Sequence, residues 1–80
     1  MAYTIELRKR VYKGLEALTE EYQQRILRDL SELLENPFKQ DVIRLTGDAS
    51  YRSRVGDYRI VFEVDEASQT LTILNIGHRS

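Results

Sequence analysis

At 80 residues the chain is long enough for one domain with one core and no more. It has no cysteine, which excludes a disulfide framework and a thiolate zinc site and fits a reducing compartment. A net charge of −1 excludes the bulk basicity of many nucleic-acid binders, and no apolar run approaches the ~20 residues of a membrane span. Arg8, Lys9 and Arg10 lead into Val11, Tyr12 and Lys13 rather than an apolar stretch, so no secretory signal is read here. The expectation is a soluble, cytoplasmic protein with no membrane partner.

Taken in chain order, Tyr3 to Leu7 alternates apolar and polar residues and predicts a strand. Arg8 to Leu18 carries Val11, Leu15 and Leu18 at helical spacing and predicts a helix, with Gly14 implying close packing on a neighbour. Thr19 is a good N-cap, and Glu20 and Glu21 suit the positive end of a helix dipole. The helix behind them carries an apolar stripe of Tyr22, Ile26, Leu27, Leu30, Leu33 and Leu34. On its wet side, Glu21 with Arg25 and Arg28 with Glu32 stand at i,i+4. Asn36-Pro37 ends it, because the residue before proline is pushed out of the α region. The two helices should form a hairpin.

Beyond a loop at residues 38–41, Val42 to Thr46 predicts a strand and Gly47-Asp48 a turn. Two alternating runs follow, Tyr51 to Val55 and Tyr58 to Val64, separated by Gly56-Asp57, a natural two-residue hairpin turn. That turn length sets Val55 opposite Tyr58, Arg54 opposite Arg59, Ser53 opposite Ile60 and Arg52 opposite Val61. The large apolar side chains then share one face, and Arg52, Arg54 and Arg59 share the other. The last strand, Thr70 to Ile76, has Leu71, Ile73, Leu74 and Ile76 on both faces, which predicts an interior strand of unreadable register. The fold class is α+β: a strand, a helix hairpin, and an antiparallel meander packed on the helices, in one domain spanning residues 1–80.

From Arg44 to Arg59 the chain has four arginines against two aspartates, although the whole chain is slightly acidic. Opposed Arg54 and Arg59 repel one another, a pairing that stability alone does not favour. One reading is a solvated face that discourages edge-to-edge aggregation. The other is an anion grip, since guanidinium forks match phosphate oxygens, with His78 and Arg79 at the end of the next strand. His78 is the only histidine, and it is either a proton-transfer group or a strand-end residue bonded to backbone. No phosphate loop, histidine pair for a metal, or nucleophile triad is visible. Tyr51, Tyr58 and Phe62 fall on the core face and offer no base-stacking platform.

The run Leu45-x-Gly47, then Tyr51-Arg52-Ser53-Arg54-Val55-Gly56-Asp57-Tyr58-Arg59-Ile60-Val61-Phe62-Glu63-Val64, then Ile76-Gly77-His78-Arg79, resembles the RelE/ParE toxin superfamily, its RelE branch above all. The resemblance implies a type II toxin held inactive by a cognate antitoxin, with the ribosome and mRNA as its other partners. It implies metal-independent and cofactor-free cleavage of mRNA in the ribosomal A site, by attack of a ribose 2′-OH on the adjacent phosphate. Carried over residue by residue, it makes Arg52, Arg54, Arg59 and Arg79 candidate catalytic residues, and His78 completes the set as the better candidate for proton transfer, because arginine stays protonated. Arg44, Arg52 and Arg54 are the candidate RNA contacts. Family members usually continue past Gly-His-Arg into a segment holding a tyrosine, whereas this sequence stops at Ser80. That makes a degenerate toxin that binds its antitoxin without cutting one alternative to the nuclease, and a ParE-type gyrase poison is another, because ParE shares the fold.

Overall fold

The computed structural model describes residues 3–45 and 50–78. The elements are β1 (Thr4–Leu7), α1 (Lys9–Glu16), α2 (Glu20–Glu35), β2 (Ile43–Arg44), β3 (Ser50–Val55), β4 (Tyr58–Asp65) and β5 (Thr70–His78). The strands form one sheet in the order β1-β5-β4-β3-β2, antiparallel except for the parallel pairing of β1 with β5. This is the expected α+β architecture, with β5 in the interior of the sheet. The turn expected at Gly47-Asp48, with Thr46 before it, lies outside the described residues, as does Arg79.

Each helix has a local cause. Thr19 caps α2 with its side-chain oxygen, which accepts from the Tyr22 amide at 3.4 Å. Past the helix end, the Asn36 side chain accepts from the Phe38 amide at 3.1 Å and turns the chain beside buried Pro37. α1 ends at Glu16, earlier than the expected Leu18, because the Leu18 amide closes a tight turn onto the Leu15 carbonyl. That same carbonyl accepts from Gln23 Nε2 at 2.7 Å, which fixes the corner between the helices.

The core lies between the helices and one face of the sheet. Val11, Ile26, Leu30 and Leu33 meet Val55, Ile60, Phe62, Leu71, Ile73 and Ile76 there. Burying each large aliphatic or aromatic side chain contributes about 1.5–3 kcal/mol. Leu27 departs from the expected stripe: it is 50% exposed, because the apolar arc that meets the sheet is centred on Ile26, Leu30 and Leu33. The i,i+4 pairs expected along α2 give way to other partners. Glu32 pairs with Lys39 at 2.9 Å, and the Arg25 guanidinium lies 4.9 Å from the Tyr22 ring centre. Gly14 packs on β5, where an added Cβ would sit 3.6 Å from the Ile76 carbonyl.

The β3–β4 hairpin has the expected register, pair for pair. Gly56 takes φ +57° and Asp57 does not turn positive, which is the II′ arrangement that matches strand twist. β2 is shorter than expected, because the Val42 amide is bonded to the Lys39 carbonyl in a turn. Between β4 and β5 the ladder slips: Val61 pairs with Asn75 but Phe62 pairs with Ile73, which leaves Leu74 as an extra residue on β5. This bulge puts Ile73 and Ile76, three positions apart, on the same core face. The Leu74 carbonyl accepts from Arg10 Nε at 3.1 Å, a contact from α1 that supports the irregular strand.

Candidate nucleic-acid interface

The face of the sheet turned away from the helices is built by alternation. Ser53 and Val55 are buried in the core, so Arg52 and Arg54, one residue out of step, stand on the other side. Arg59 joins them from β4, directly opposite Arg54. The pair flanking a two-residue turn is hydrogen-bonded, so the next pair out, Arg54 and Arg59, is the closer kind, with Cα atoms about 4.5 Å apart. Arg54 is exposed, whereas Arg52 and Arg59 are half-buried.

Among the described residues no carboxylate forms an ion pair with this cluster. The ion pairs to Asp29 and Glu32 are made by Lys39, and none is made by Arg52, Arg54 or Arg59. On the neighbouring strand Arg59 is opposite Gly77, which has no side chain to cover the guanidinium. The arrangement can hold an anion and stabilise charge that develops on it. It cannot transfer a proton near neutral pH, because arginine stays protonated.

The structure separates Arg44 and His78 from this cluster. Arg44 pairs with Tyr51, which stacks on Phe62 with ring centres 5.8 Å apart, so Arg44 stands on the helix side of the sheet at its edge. His78 pairs with Tyr58 and meets its ring edge-on at 5.3 Å. Tyr58 in turn contacts Tyr22 of α2 at 4.7 Å, so His78 is also on the helix side. The cause is the bulge: one extra residue at Leu74 flips the facing of Asn75 to His78. The arginine face therefore brings together Arg52, Arg54 and Arg59 and does not include His78 or Arg44. The placement of Tyr51, Tyr58 and Phe62 on the core side agrees with expectation.

A polar network behind β3 was not read from the sequence. Asp29, in the middle of α2, accepts from Ser53 Oγ at 2.7 Å and from Lys39 Nζ. Burial acts to lower the Lys39 pKa, but the hydrogen bonds and charges of Asp29 and Glu32 outweigh it and raise it above 10.5. The signal was present in two residues out of pattern, a carboxylate inside an apolar stripe and a serine on an apolar strand face. Among the described residues no group of three or more His, Asp or Glu is placed to hold a metal, and no helix is long and apolar enough to cross a membrane.

Comparison with known proteins places this geometry. Residues 5–80 match the family model described as the ParE toxin of the type II toxin-antitoxin system, parDE. No curated protein matches the chain. Among solved structures, the archaeal RelE–RelB complex of Pyrococcus horikoshii OT3 contains a chain 31% identical to this one, with a TM-score of 0.89, covering 100% of this chain and 98% of that one. Two others share the fold. The isolated Escherichia coli RelE toxin is 22% identical with a TM-score of 0.87, covering 99% of this chain and 86% of that one. The RelBE2 toxin–antitoxin complex of Mycobacterium tuberculosis gives 21% and 0.84, with coverage of 99% and 100%.

Proposed function

The chain belongs to the ParE toxin family of type II toxin–antitoxin systems, within the RelE/ParE superfamily, and we propose that it is a RelE-like endoribonuclease that cuts ribosome-bound mRNA in the cytoplasm. The observation that supports this reading is the sheet face on which Arg52, Arg54 and Arg59 converge with no carboxylate partner among the described residues. In the reaction, the ribose 2′-hydroxyl gives its proton to solvent as its oxygen attacks the adjacent phosphorus, and the bond to the 5′-oxygen breaks as that oxygen takes a proton from solvent. This yields a 2′,3′-cyclic phosphate and a 5′-hydroxyl end. Negative charge accumulates on the non-bridging phosphate oxygens during this exchange. Arg59, half-buried and opposite a glycine, stabilises that charge, while Arg52 and Arg54 hold the flanking backbone. Arg79 joins them in this proposal on the strength of the family motif. The chain's part is positioning and electrostatics rather than proton transfer, which suits an activity that depends on the ribosome to present the substrate.

The partner that restrains it is a cognate antitoxin. The P. horikoshii and M. tuberculosis relatives were solved in toxin–antitoxin complexes. An antitoxin segment bearing acids would neutralise the arginine face and block substrate in one step.

One observation favours a second reading. The matching family model is named for ParE, so a gyrase poison without RNA cleavage remains the competitor. Expression of the chain without a partner, followed by primer-extension mapping of cellular mRNA, separates the two. Cuts within codons of translated messages are expected. Intact mRNA with a DNA-damage response would replace the nuclease with the gyrase poison. Full growth with antitoxin binding retained would mark a toxin that no longer cuts.

A further inference from the structure

A second basic site lies around the edge of the sheet from the arginine face. Arg25 and Arg28 of α2 and Arg54 of β3 line an open groove of about 230 Å³, together with Asp29, Glu32, Val55 and Gly56. The two carboxylates in the lining are already engaged, Asp29 by Ser53 and Lys39 and Glu32 by Lys39. Arg25 is steadied by the Tyr22 ring at 4.9 Å, a contact that orders a guanidinium without cancelling its charge. Gly56 keeps the floor low, since a Cβ there would come within 3.0 Å of Arg25 Nη2 and 3.1 Å of the Tyr22 ring. With three guanidiniums and an ammonium against two carboxylates, the groove is net positive.

Arg54 connects this groove to the arginine face. It also lines a separate cleft with Asp41 and Ile43, and it stands opposite Arg59 in the ladder. β2 pairs only with Tyr51 and Arg52, so among the described strands none covers the outer edge of β3 at Ser53 to Val55. A chain of phosphates can therefore cross that edge without displacing a strand.

We propose that the Arg25–Arg28–Arg54 groove is a second phosphate subsite, taking the backbone of the same RNA strand whose reacting phosphate lies on the arginine face. It rests on the nuclease reading above and extends it to a strand that wraps the β3 edge. The lining favours a polynucleotide over an acidic protein segment. Its one apolar side chain, Val55, is buried at 8% exposure and offers no anchor pocket, whereas phosphates need only charged forks.

The test compares the full-length chain with R25S/R28S and with R28S alone, using single-stranded RNA blocked by 2′-deoxy substitution, either a dinucleotide or a 12-mer. The unaltered chain is expected to bind the 12-mer more tightly and with a steeper salt dependence than the dinucleotide. The double variant should lose about 0.7–1.4 from the slope of log K against log salt for the 12-mer, at about 0.7 per lost phosphate contact. Its dinucleotide affinity should stay unchanged, as should the Tm of R28S, which leaves the Arg25–Tyr22 contact in place. R28S alone should lose about half as much, which guards against a packing effect of losing Arg25 from Tyr22. An unchanged 12-mer slope in both variants, with binding intact, would overturn the subsite and leave the nuclease reading standing. Failure of the unaltered chain to bind the 12-mer would overturn the subsite, whereas the nuclease reading is overturned only by intact mRNA in the primer-extension test. If a polyglutamate peptide loses affinity in R25S/R28S while the 12-mer does not, the groove serves an acidic protein and the proposal is wrong.

Discussion

Ser53 donates its hydroxyl to Asp29 across the interface between sheet and helix, Oγ to Oδ2 at 2.7 Å, with Ser53 wholly buried. This bond holds β3, the strand that presents Arg52 and Arg54, against α2, while the Lys39 ammonium occupies the other oxygen of the same carboxylate. The functional face is thus braced from behind by a polar network with no unsatisfied buried side-chain atom among the described residues.

Ser53→Ala removes one of the donors to a buried carboxylate. The expected loss is about 1–3 kcal/mol, or roughly 4–8 °C in Tm per kcal/mol for a domain of this size, read by thermal unfolding. A variant with unchanged Tm would show that the bond adds nothing to the brace.

The pH dependence follows from Lys39. Its pKa is raised in the folded protein, so its stabilising contribution is complete below the ordinary 10.5 and is lost as pH climbs through the folded value. Tm should accordingly fall on the alkaline side and show no step from this group in acid. Lys39→Met should be less stable at neutral pH and should lack the Lys39 component of the alkaline decline, as measured by Tm from pH 8 upward.

Arg59→Ala should abolish most cleavage, by about 100- to 1,000-fold in rate if it acts as an oxyanion-type stabiliser. Stability should change by less than about 1 kcal/mol, because relief from Arg54 offsets the lost packing of its stem. Cleavage assays on translating ribosomes, paired with thermal unfolding, report the two effects separately.

His78→Gln should leave the cleavage rate and its pH profile unchanged between pH 6 and 8. The side chain stands against Tyr58 on the helix side, away from the arginines. A lost or shifted pH limb would return His78 to the reaction.

The β3–β4 hairpin and its arginine face were legible in the sequence because their determinants are local. Gly56-Asp57 fixes the turn, and strict alternation on both sides fixes which residues share a face. The α2 cap and its Asn-Pro stop were readable for the same reason, since each is a bond or clash between residues close in sequence. The Asp29–Ser53 bond was not readable, because it joins residues 24 apart that meet only when helix packs on sheet. Nor was the facing of Arg44, which depends on how a two-residue β2 docks on β3.

The bulge at Leu74 had the largest consequence. Alternation counted from Leu71 and Ile73 alone would carry His78 to the arginine face, but the fold spends one residue to bring Ile76 into the core and turns His78 the other way. Sequence by itself determined the elements, the hairpin register and the cluster of Arg52, Arg54 and Arg59. Tertiary packing decided which more distant side chains join them, because a period of two has no memory across an inserted residue, and only the core can say where that residue goes.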